Sequence, residues 1–186
     1  MPAYHSAFNG VVTEELCGCP VLPLRTRVRG PAPCLEAPPE GYDSVAASDA
    51  ADADIVDEAL RLFRANMLFK NFDLLGGGDR LLIYTTLFIH ACLKRVARGA
   101  SILGKSEAAR ELIALAAGAH VAPGDAGWPL GGVIVAAKTP TEAEAFKGYL
   151  RQVRETVVAR LVSLAWDVSG SPNKHWMAYG KRKGFM

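Results

Sequence analysis

The sequence predicts a mainly α-helical fold: a helical bundle with one central buried helix surrounded by the others, an extended N-terminal arm and at most a short β element. Three observations predict it. Asp79 to Arg95 carries charge only at its ends, and Leu, Ile, Phe, Tyr, Ala and Cys occupy every side of its helical wheel. A helix apolar all round has to be covered all round. The segments on either side of it show apolar residues at three- and four-residue steps behind helix-start signals. Finally, Pro2, Pro20, Pro23, Pro31 and Pro33 crowd residues 1–33 and forbid a regular helix there.

The arm, 1–33, alternates apolar and basic residues from Leu24 through Arg25, Thr26, Arg27 and Val28 to Arg29. That pattern fits an extended chain, pairing as an edge strand and laid over the body or over a partner. Residues 34–53 hold Pro, Gly, Ser, Ala and Asp with few large apolar groups. Such a segment buries too little surface to offset ordering entropy and is expected to be a mobile acidic loop.

The helical body is expected over 54–166. Its first helix runs from Asp54 to Phe72. Asp54, Asp57 and Glu58 sit where helix amides attract negative charge, and Val56, Leu60, Phe63, Met67 and Leu68 form one face. Gly76, Gly77 and Gly78 then make a flexible turn. Asp79 is placed to cap the central helix, with Lys94 and Arg95 favouring its C-terminal end. The run is shorter than the roughly 20 apolar residues that cross a bilayer. Two buried strands through Ile83, Tyr84, Thr85 and Thr86 are the alternative, and the length of the run favours helix. A third helix is expected from Glu107 to Ala117, capped by Ser106 and stopped at Gly118. Ala119 to Gly132 reads as an irregular loop, and Val133, Ile134 and Val135 as one short strand. Thr139, Pro140 and Glu142 form a capping box with Pro at the first helical position. The helix behind it reaches Ala165 on a stripe of Phe146, Leu150, Val153, Val157, Leu161 and Leu164, with Lys147, Arg151, Arg154 and Arg160 mostly off the stripe. Gly170, Ser171 and Pro172 end regular structure. The tail, 167–186, mixes aromatics with bases.

At 186 residues, half hydrophobic and 22% charged, the chain reads as one globular domain. Its net charge of +2 is unevenly spread: eight acidic residues and no Lys or Arg lie between Cys34 and Glu58, and eight basic residues against Glu155 and Asp167 follow from Lys147. The basic end either meets something acidic or is a solvated helix face. No signal peptide, myristoylation site or prenylation box is expected, and Cys17, Cys19, Cys34 and Cys92 do not look like a secreted disulfide framework. The expected compartment is the reducing cytosol.

Little points to chemistry. Gly76–Asp79 lacks the Lys-Ser/Thr of a P-loop and the spacing of a dinucleotide fingerprint. Cys17, Cys19, Cys34 and His5 could be read as zinc ligands, but one residue separates the first pair where structural sites use two to four. His90 has no carboxylate at helical spacing and reads as a packed, hydrogen-bonded histidine. No Ser-His-Asp, paired-carboxylate or His-x-x-x-His pattern emerges, so the chain is not expected to be an enzyme, and no cofactor, metal or small-molecule substrate is expected. Partner contact is the better reading. The candidates are Arg25, Arg27, Trp128, Pro129, Lys174, Trp176, Tyr179, Lys181 and Arg182, since Trp, Tyr and Arg are enriched in interface hot spots. Each tryptophan could equally plug the rim of a helical core. The tail's cations and aromatics could also stack on single-stranded nucleic acid.

A series of blocks resembles a known family. They are M-P-A-Y-H-S at Met1 to Ser6, L-P-L-R-T at Leu22 to Thr26, G-P-A-P at Gly30 to Pro33 and D-I-V-D-E-A at Asp54 to Ala59. Further on come F-R-A-N-M-L-F-K-N-F at Phe63 to Phe72, D-R-L-L-I-Y-T-T-L-F-I at Asp79 to Ile89, C-L-K-R at Cys92 to Arg95, P-G-D-A-G-W-P-L at Pro123 to Leu130 and K-H-W at Lys174 to Trp176. Together, and in this order, they resemble subunit 3, the 21 kDa subunit, of the actin-related protein 2/3 complex. The resemblance implies a non-catalytic, all-α scaffold subunit against actin-related protein 3 in a seven-subunit assembly that starts branch filaments in the cytoplasmic cytoskeleton. It also implies contact with the mother actin filament, no membrane partner, and ATP binding by the actin-related subunits and not by this one. Against the family's pattern, the acidic loop is longer, Gly76 to Gly78 replace a polar turn, His175 stands for a tryptophan and Gly131 for an asparagine.

Overall fold

The computed structural model describes residues 4–39, 41–46, 53–67, 73–97 and 102–182. A 3₁₀ turn, Ala7–Gly10, opens the described chain. Four two-residue strands follow: β1 Glu15–Leu16, β2 Cys19–Pro20, β3 Leu24–Arg25 and β4 Cys34–Leu35. The helices are α1 Ile55–Asn66, α2 Gly77–Val96, α3 Lys105–Ala117, α4 Pro140–Ala165 and α5 Lys174–Gly180. The chain is therefore mainly helical, as its patterning predicts.

The arm is extended and carries the β structure. β1 and β2 pair antiparallel as a tight hairpin, with Cys17 at φ 54° and Gly18 at φ 74° in its turn. β3 and β4 pair in parallel, so the first residues of the expected mobile loop are strand. The arm is no loose appendage, because Leu22, Leu24, Val21 and Cys19 are buried in the core.

Each helix has a local reason to start. Asp54 caps α1, accepting from the Val56 and Asp57 amides, while Asp57 reaches back to the Asp54 amide. The described part of α1 ends at Asn66, and the expected continuation over 68–72 lies outside the described residues. Thr139 caps α4 through the Glu142 amide, with Pro140 at the first helical position. The Glu142 carboxylate accepts from the amides of Lys138 and Cys17, so it also pins the hairpin. α3 starts two residues earlier than Ser106 predicts, behind Gly104 and without a side-chain cap. The Leu103 amide donates to the Val96 carbonyl and the Leu103 carbonyl accepts from Trp166 Nε1, which fixes the chain just ahead of that start. Val133 to Val135 are not a strand. The Val133 and Ile134 amides close a turn on the Leu130 carbonyl, and Val135 donates to the Cys17 carbonyl.

α2 contacts α1, α3, α4, α5, the 3₁₀ turn and β2. It is not sealed on every side. Ala91 is exposed, and Ile83 and Leu87 are half-exposed, on the same stripe as Arg80 and Lys94. The opposite faces are buried through Leu81, Leu82, Ile89 and Leu93. The two charged residues at the ends of the run mark the flank that stays wet.

The glycines before α2 are not a flexible turn either. Gly77 and Gly78 form its first turn, and the arm lies directly on them. A β-carbon on Gly77 would stand 2.6 Å from Pro20 Cδ, and one on Gly78 would stand 2.8 Å from the Phe8 carbonyl carbon. Asp79 does not cap the helix, since the N-cap position is Gly76. Its buried carboxylate instead holds the arm, accepting from the Ser6 amide at 2.7 Å, the Leu75 amide at 2.9 Å and His5 Nδ1 at 2.8 Å. Glu58 does the same from α1, taking Ser6 Oγ at 2.6 Å and the Ala7 amide at 2.8 Å. Asn66 exchanges two hydrogen bonds with the Tyr4 backbone.

Two outcomes are expected. Gly78→Val places its β-carbon against Phe8 and Asn9 backbone that cannot step aside. Because Val and Gly differ by only a few tenths of a kcal/mol in helix propensity, thermal melting should report the clash itself, a loss of about 2 kcal/mol or more. For Asp79, burial alone would raise the carboxyl pKa. The Ser6 and Leu75 amides, with His5 and Asn9, more than offset that and hold it below the ordinary carboxylate range. A carboxyl lowered by folding contributes stability above its unfolded pKa and loses it as pH falls through the folded one. Asp79→Asn should therefore lower stability at neutral pH and flatten the acid limb of a stability–pH profile.

Candidate partner-binding surface

The nine candidate residues fall in three places, and the structure does not draw them into one site. The first is the arm. Arg25 is half-buried and faces inward: its Nη1 donates to the Tyr42 hydroxyl at 3.2 Å and its guanidinium lies 5.0 Å from the Tyr42 ring centre. Arg27 is exposed. Both line a groove of about 240 Å³ between the arm, residues 37–39 with Tyr42, and α4.

Beneath that groove lies a charge knot. Arg160 is buried, not turned off the stripe of α4 into solvent. Its Nη1 and Nη2 hold the two carboxylate oxygens of Asp54 at 2.6 Å each, Nη1 meets Asp57 at 2.7 Å, and Nη2 donates to the Arg25 carbonyl at 2.7 Å. Asp54 Oδ2 also accepts from the Arg25 amide. Burial raises the Asp57 carboxyl pKa, against the opposing pull of Arg160.

Arg154 is likewise buried. Its Nε donates to the Ala116 carbonyl, near the C-terminus of α3 where a cation is favoured, and its Nη1 donates to the Tyr84 hydroxyl at 2.8 Å. That leads to the second place. Trp128 is half-buried, stacked on Tyr84 with ring centres 6.0 Å apart, while Pro129 beside it is exposed. His120 completes the neighbourhood. It is edge-on to Phe88, bonded to the Leu115 carbonyl, and held below the ordinary imidazole range by burial.

The third place is the tail, where regular structure resumes after Pro172. Asn173 caps α5, a seven-residue helix, by accepting from the His175 amide. Helices that short owe their stability to packing. Trp176 is buried, in line with the core-plugging alternative rather than an open contact, and it stacks on Phe63 at 5.7 Å. Tyr179 meets the same Phe63 edge-on at 5.5 Å. Gly180 lies against the Leu93 carbonyl and Ala97, an approach that any β-carbon would block. Lys174, Lys181 and Arg182 are exposed, and Arg182 lies over the Tyr179 ring. Lys183 and Phe185 lie outside the described residues.

Of the four thiols, those of Cys17, Cys19 and Cys92 are buried and that of Cys34 is exposed. Burial pushes the Cys17 thiol up to about 11 and the Cys19 thiol up to about 12, far from thiolate nucleophiles or ready metal ligands. Among the described residues no three His, Cys, Asp or Glu side chains are grouped to hold a metal ion, and no helix is long and apolar enough to cross a membrane. His90 is packed, as its surroundings in the sequence predict, with Nε2 at 3.3 Å from the Arg182 carbonyl.

With this arrangement in view, comparison with known proteins is decisive. The ARP2/3 complex ARPC3 (21 kDa) subunit family matches residues 1–186. The chain belongs to that family. Its relatives include actin-related protein 2/3 complex subunit 3 of Arabidopsis thaliana, 41% identical over 184 residues that span 97% of this chain and 95% of that one. The subunits 3 of Dictyostelium discoideum and Schizosaccharomyces pombe are 37% and 38% identical, over 97% and 98% of this chain and 95% and 97% of theirs.

Sequence reasoning missed the two buried arginines, Arg154 and Arg160, because their partners are 38 to 135 residues away. The one available signal was spacing, since Arg154 and Arg160 lie next to the stripe residues Val153 and Leu161. Arg64, whose guanidinium lies 5.7 Å from the Trp176 ring centre, was missed for the same reason.

Arg160→Met should be severely destabilising. Removing one partner of a buried ion pair costs about 3–5 kcal/mol, because the other charge stays behind unpaired. Chemical denaturation at pH 7 should show that loss. It should shrink as pH falls, since a carboxyl raised by burial favours the fold most when protonated.

Proposed function

We propose that the chain is a non-catalytic structural subunit of the actin-related protein 2/3 complex, acting in the cytoplasmic actin cytoskeleton. In this reading it packs against actin-related protein 3 within a seven-subunit assembly and also faces the mother filament. Its contribution to nucleation is geometric: it holds an actin-related subunit where the daughter filament begins. The observation that carries this is the match of the family over the full 186 residues, together with relatives named as subunit 3 that are covered almost end to end.

The chain acts as a single domain in this reading, with α2 as its central helix and the arm, acidic loop, helical body and tail packed around or extending from it. The exposed cations Arg27, Lys174, Lys181 and Arg182 and the exposed Pro129 supply contacts for acidic neighbours such as actin. Trp128 sits at the rim of the core, partly exposed and stacked on Tyr84. The nucleic-acid alternative is not favoured: Trp176 and Tyr179 are engaged with Phe63 and cannot also serve as a stacking platform for bases.

Size measurement of the native particle tests the assignment. Affinity capture from lysate should bring down actin-related proteins at a mass far above 19.9 kDa, and recovery as a solitary monomer would overturn it. Lys181→Glu combined with Arg182→Glu should leave the melting curve unchanged. In reconstituted complex it should slow branch formation about two- to thirtyfold, each exposed charge being worth roughly 0.2–1 kcal/mol. An unchanged branching rate would remove the tail from the interface.

A further inference from the structure

One buried cation has no counter-charge. Arg154, on α4, is only 5% exposed. Its Nε donates to the Ala116 carbonyl at 3.0 Å and its Nη1 to the Tyr84 hydroxyl at 2.8 Å. A guanidinium carries five N–H groups, so three of them are unspent. Among the described residues no carboxylate forms an ion pair with Arg154, whereas Arg160, four-fifths of the way along the same helix, holds two. The last carbonyls of α3 offset about half an elementary charge. Tyr84 does not supply the rest: burial raises its phenol pKa, against the pull of Arg154, and keeps the hydroxyl neutral. A buried charge left in this state is costly.

The spare N–H groups open onto a groove. No nitrogen of Arg154 is among the described polar atoms that are both buried and unpartnered. They therefore reach solvent, and Arg154 lines a groove of about 430 Å³ between residues 118–123 and α4. Val121, Pro123 and Leu150 give the groove apolar walls. Its other charged groups are accounted for. Lys147 holds Glu144 at 3.0 Å and also feels Asp125, and Arg151 holds Glu155 at 2.7 Å. His120 donates from Nε2 to the Leu115 carbonyl, and burial, with Arg154 nearby, keeps its ring below the ordinary imidazole range. The unmatched positive charge is that of Arg154 alone. One planar fork matches one carboxylate. A phosphate dianion fits less well, because Glu144 also lines the groove. With so little of Arg154 exposed, the carboxylate has to arrive on a stem, and a glutamate side chain has two methylenes to lie against the apolar walls.

We propose that this groove receives a glutamate side chain from a partner polypeptide, its carboxylate accepting from the spare N–H groups of Arg154. The contact rests on the subunit role proposed above and differs in kind from the exposed cations named there. Exposed charges steer a neighbour and add little affinity. A carboxylate drawn down to Arg154 would be desolvated, flanked by apolar walls and held by a fork whose orientation Ala116 and Tyr84 already fix. It would be selective for length as well as charge, with aspartate one methylene short.

The test titrates the full chain, isotope-labelled at arginine, with acetyl-Leu-Glu-Leu-amide, with the same peptide carrying Gln, and with inorganic phosphate, following arginine Nε–H signals by NMR. The Glu peptide should shift one such signal and bind about tenfold or more tightly than the Gln peptide, as expected for hydrogen bonds to a charged group. Arg154→Lys keeps the charge without the fork and should lose most of that preference. Ala119→Phe, at an exposed position lining the groove, fills it without touching the Arg154 bonds. It should abolish Glu-peptide binding with an unchanged melting curve, and it carries the test if Arg154→Lys fails to fold. Equal binding of the Glu and Gln peptides, phosphate binding as tight as the Glu peptide, or unchanged Glu-peptide binding to folded Ala119→Phe would each overturn the proposal. Such a failure beside a native particle of high mass removes this contact and leaves the subunit role standing, whereas a solitary native monomer removes the role itself.

Discussion

The fork between Arg160 and Asp54 is the constraint on which the rest of the structure depends. A carboxylate and a guanidinium are each costly to bury, and their mutual attraction offsets that cost only when the geometry is good and the remaining hydrogen-bonding groups are satisfied. Here the fork geometry is good, while Arg160 Nε and Asp57 Oδ1 are buried without a hydrogen-bond partner among the described residues. Asp54 spends its two oxygens on the first amides of α1, on the Arg25 amide and on Arg160, and Arg160 adds Asp57 and the Arg25 carbonyl. One residue pair thereby sets the start of α1, the path of the arm and the rotation of α4 about its own axis. Apolar packing could hold these three elements together without fixing how they register. The directional bonds of the knot supply the register.

A second set of bonds works along α1 and at the start of α2. Glu58, Asn66 and Asp79 gather residues 4–7 onto α1 and α2, and glycines in the first turn of α2 let that backbone come close. With both ends of the arm held, the large aromatics are drawn into the interior. Trp176 and Tyr179 close over Phe63, and Trp128 closes over Tyr84. What remains outside is mixed: exposed lysines and arginines, acidic side chains, and scattered apolar ones such as Val12, Leu75, Ile113 and Val168. A surface of that kind suits a scaffold: exposed charge steers and orients neighbours more than it adds affinity.

The helices were legible in the sequence where local chemistry decides them. Thr139 and Pro140 announce α4, Asp54 announces α1, and the uncharged run between Arg80 and Lys94 announces α2. The misreadings share a cause, which is that the deciding partner is distant along the chain. Asp79 looks like a cap because helix starts favour carboxylates, yet its ligands are at Ser6 and His5. Ser106 looks like a cap, yet α3 begins where Val96 and Trp166 fix Leu103. Gly76 to Gly78 look like a hinge, yet their missing side chains make room for Phe8, Asn9 and Pro20. Val133 to Val135 have strand-forming side chains and no strand to pair with. Among the candidate contact residues, exposure at Arg27, Pro129 and Lys181 could be read from flanking polarity. The burial of Trp176 could not, because it depends on Phe63 more than a hundred residues earlier.

Residues 4–7 of the arm are held mostly through their main chain. Glu58, Asn66 and Asp79 bind the amides of Tyr4, Ser6 and Ala7, and the side chains that take part are those of Ser6, His5 and Asn9. Such a cradle recognises a path rather than a set of letters. The outward side chains, Tyr4 at 51% exposure and Val12 at 99%, are then free of any duty to the fold. They are positions where related lineages could rewrite what the arm displays and leave its mooring untouched, so that a graft of another relative's first dozen residues should seat without redesign of the body beneath.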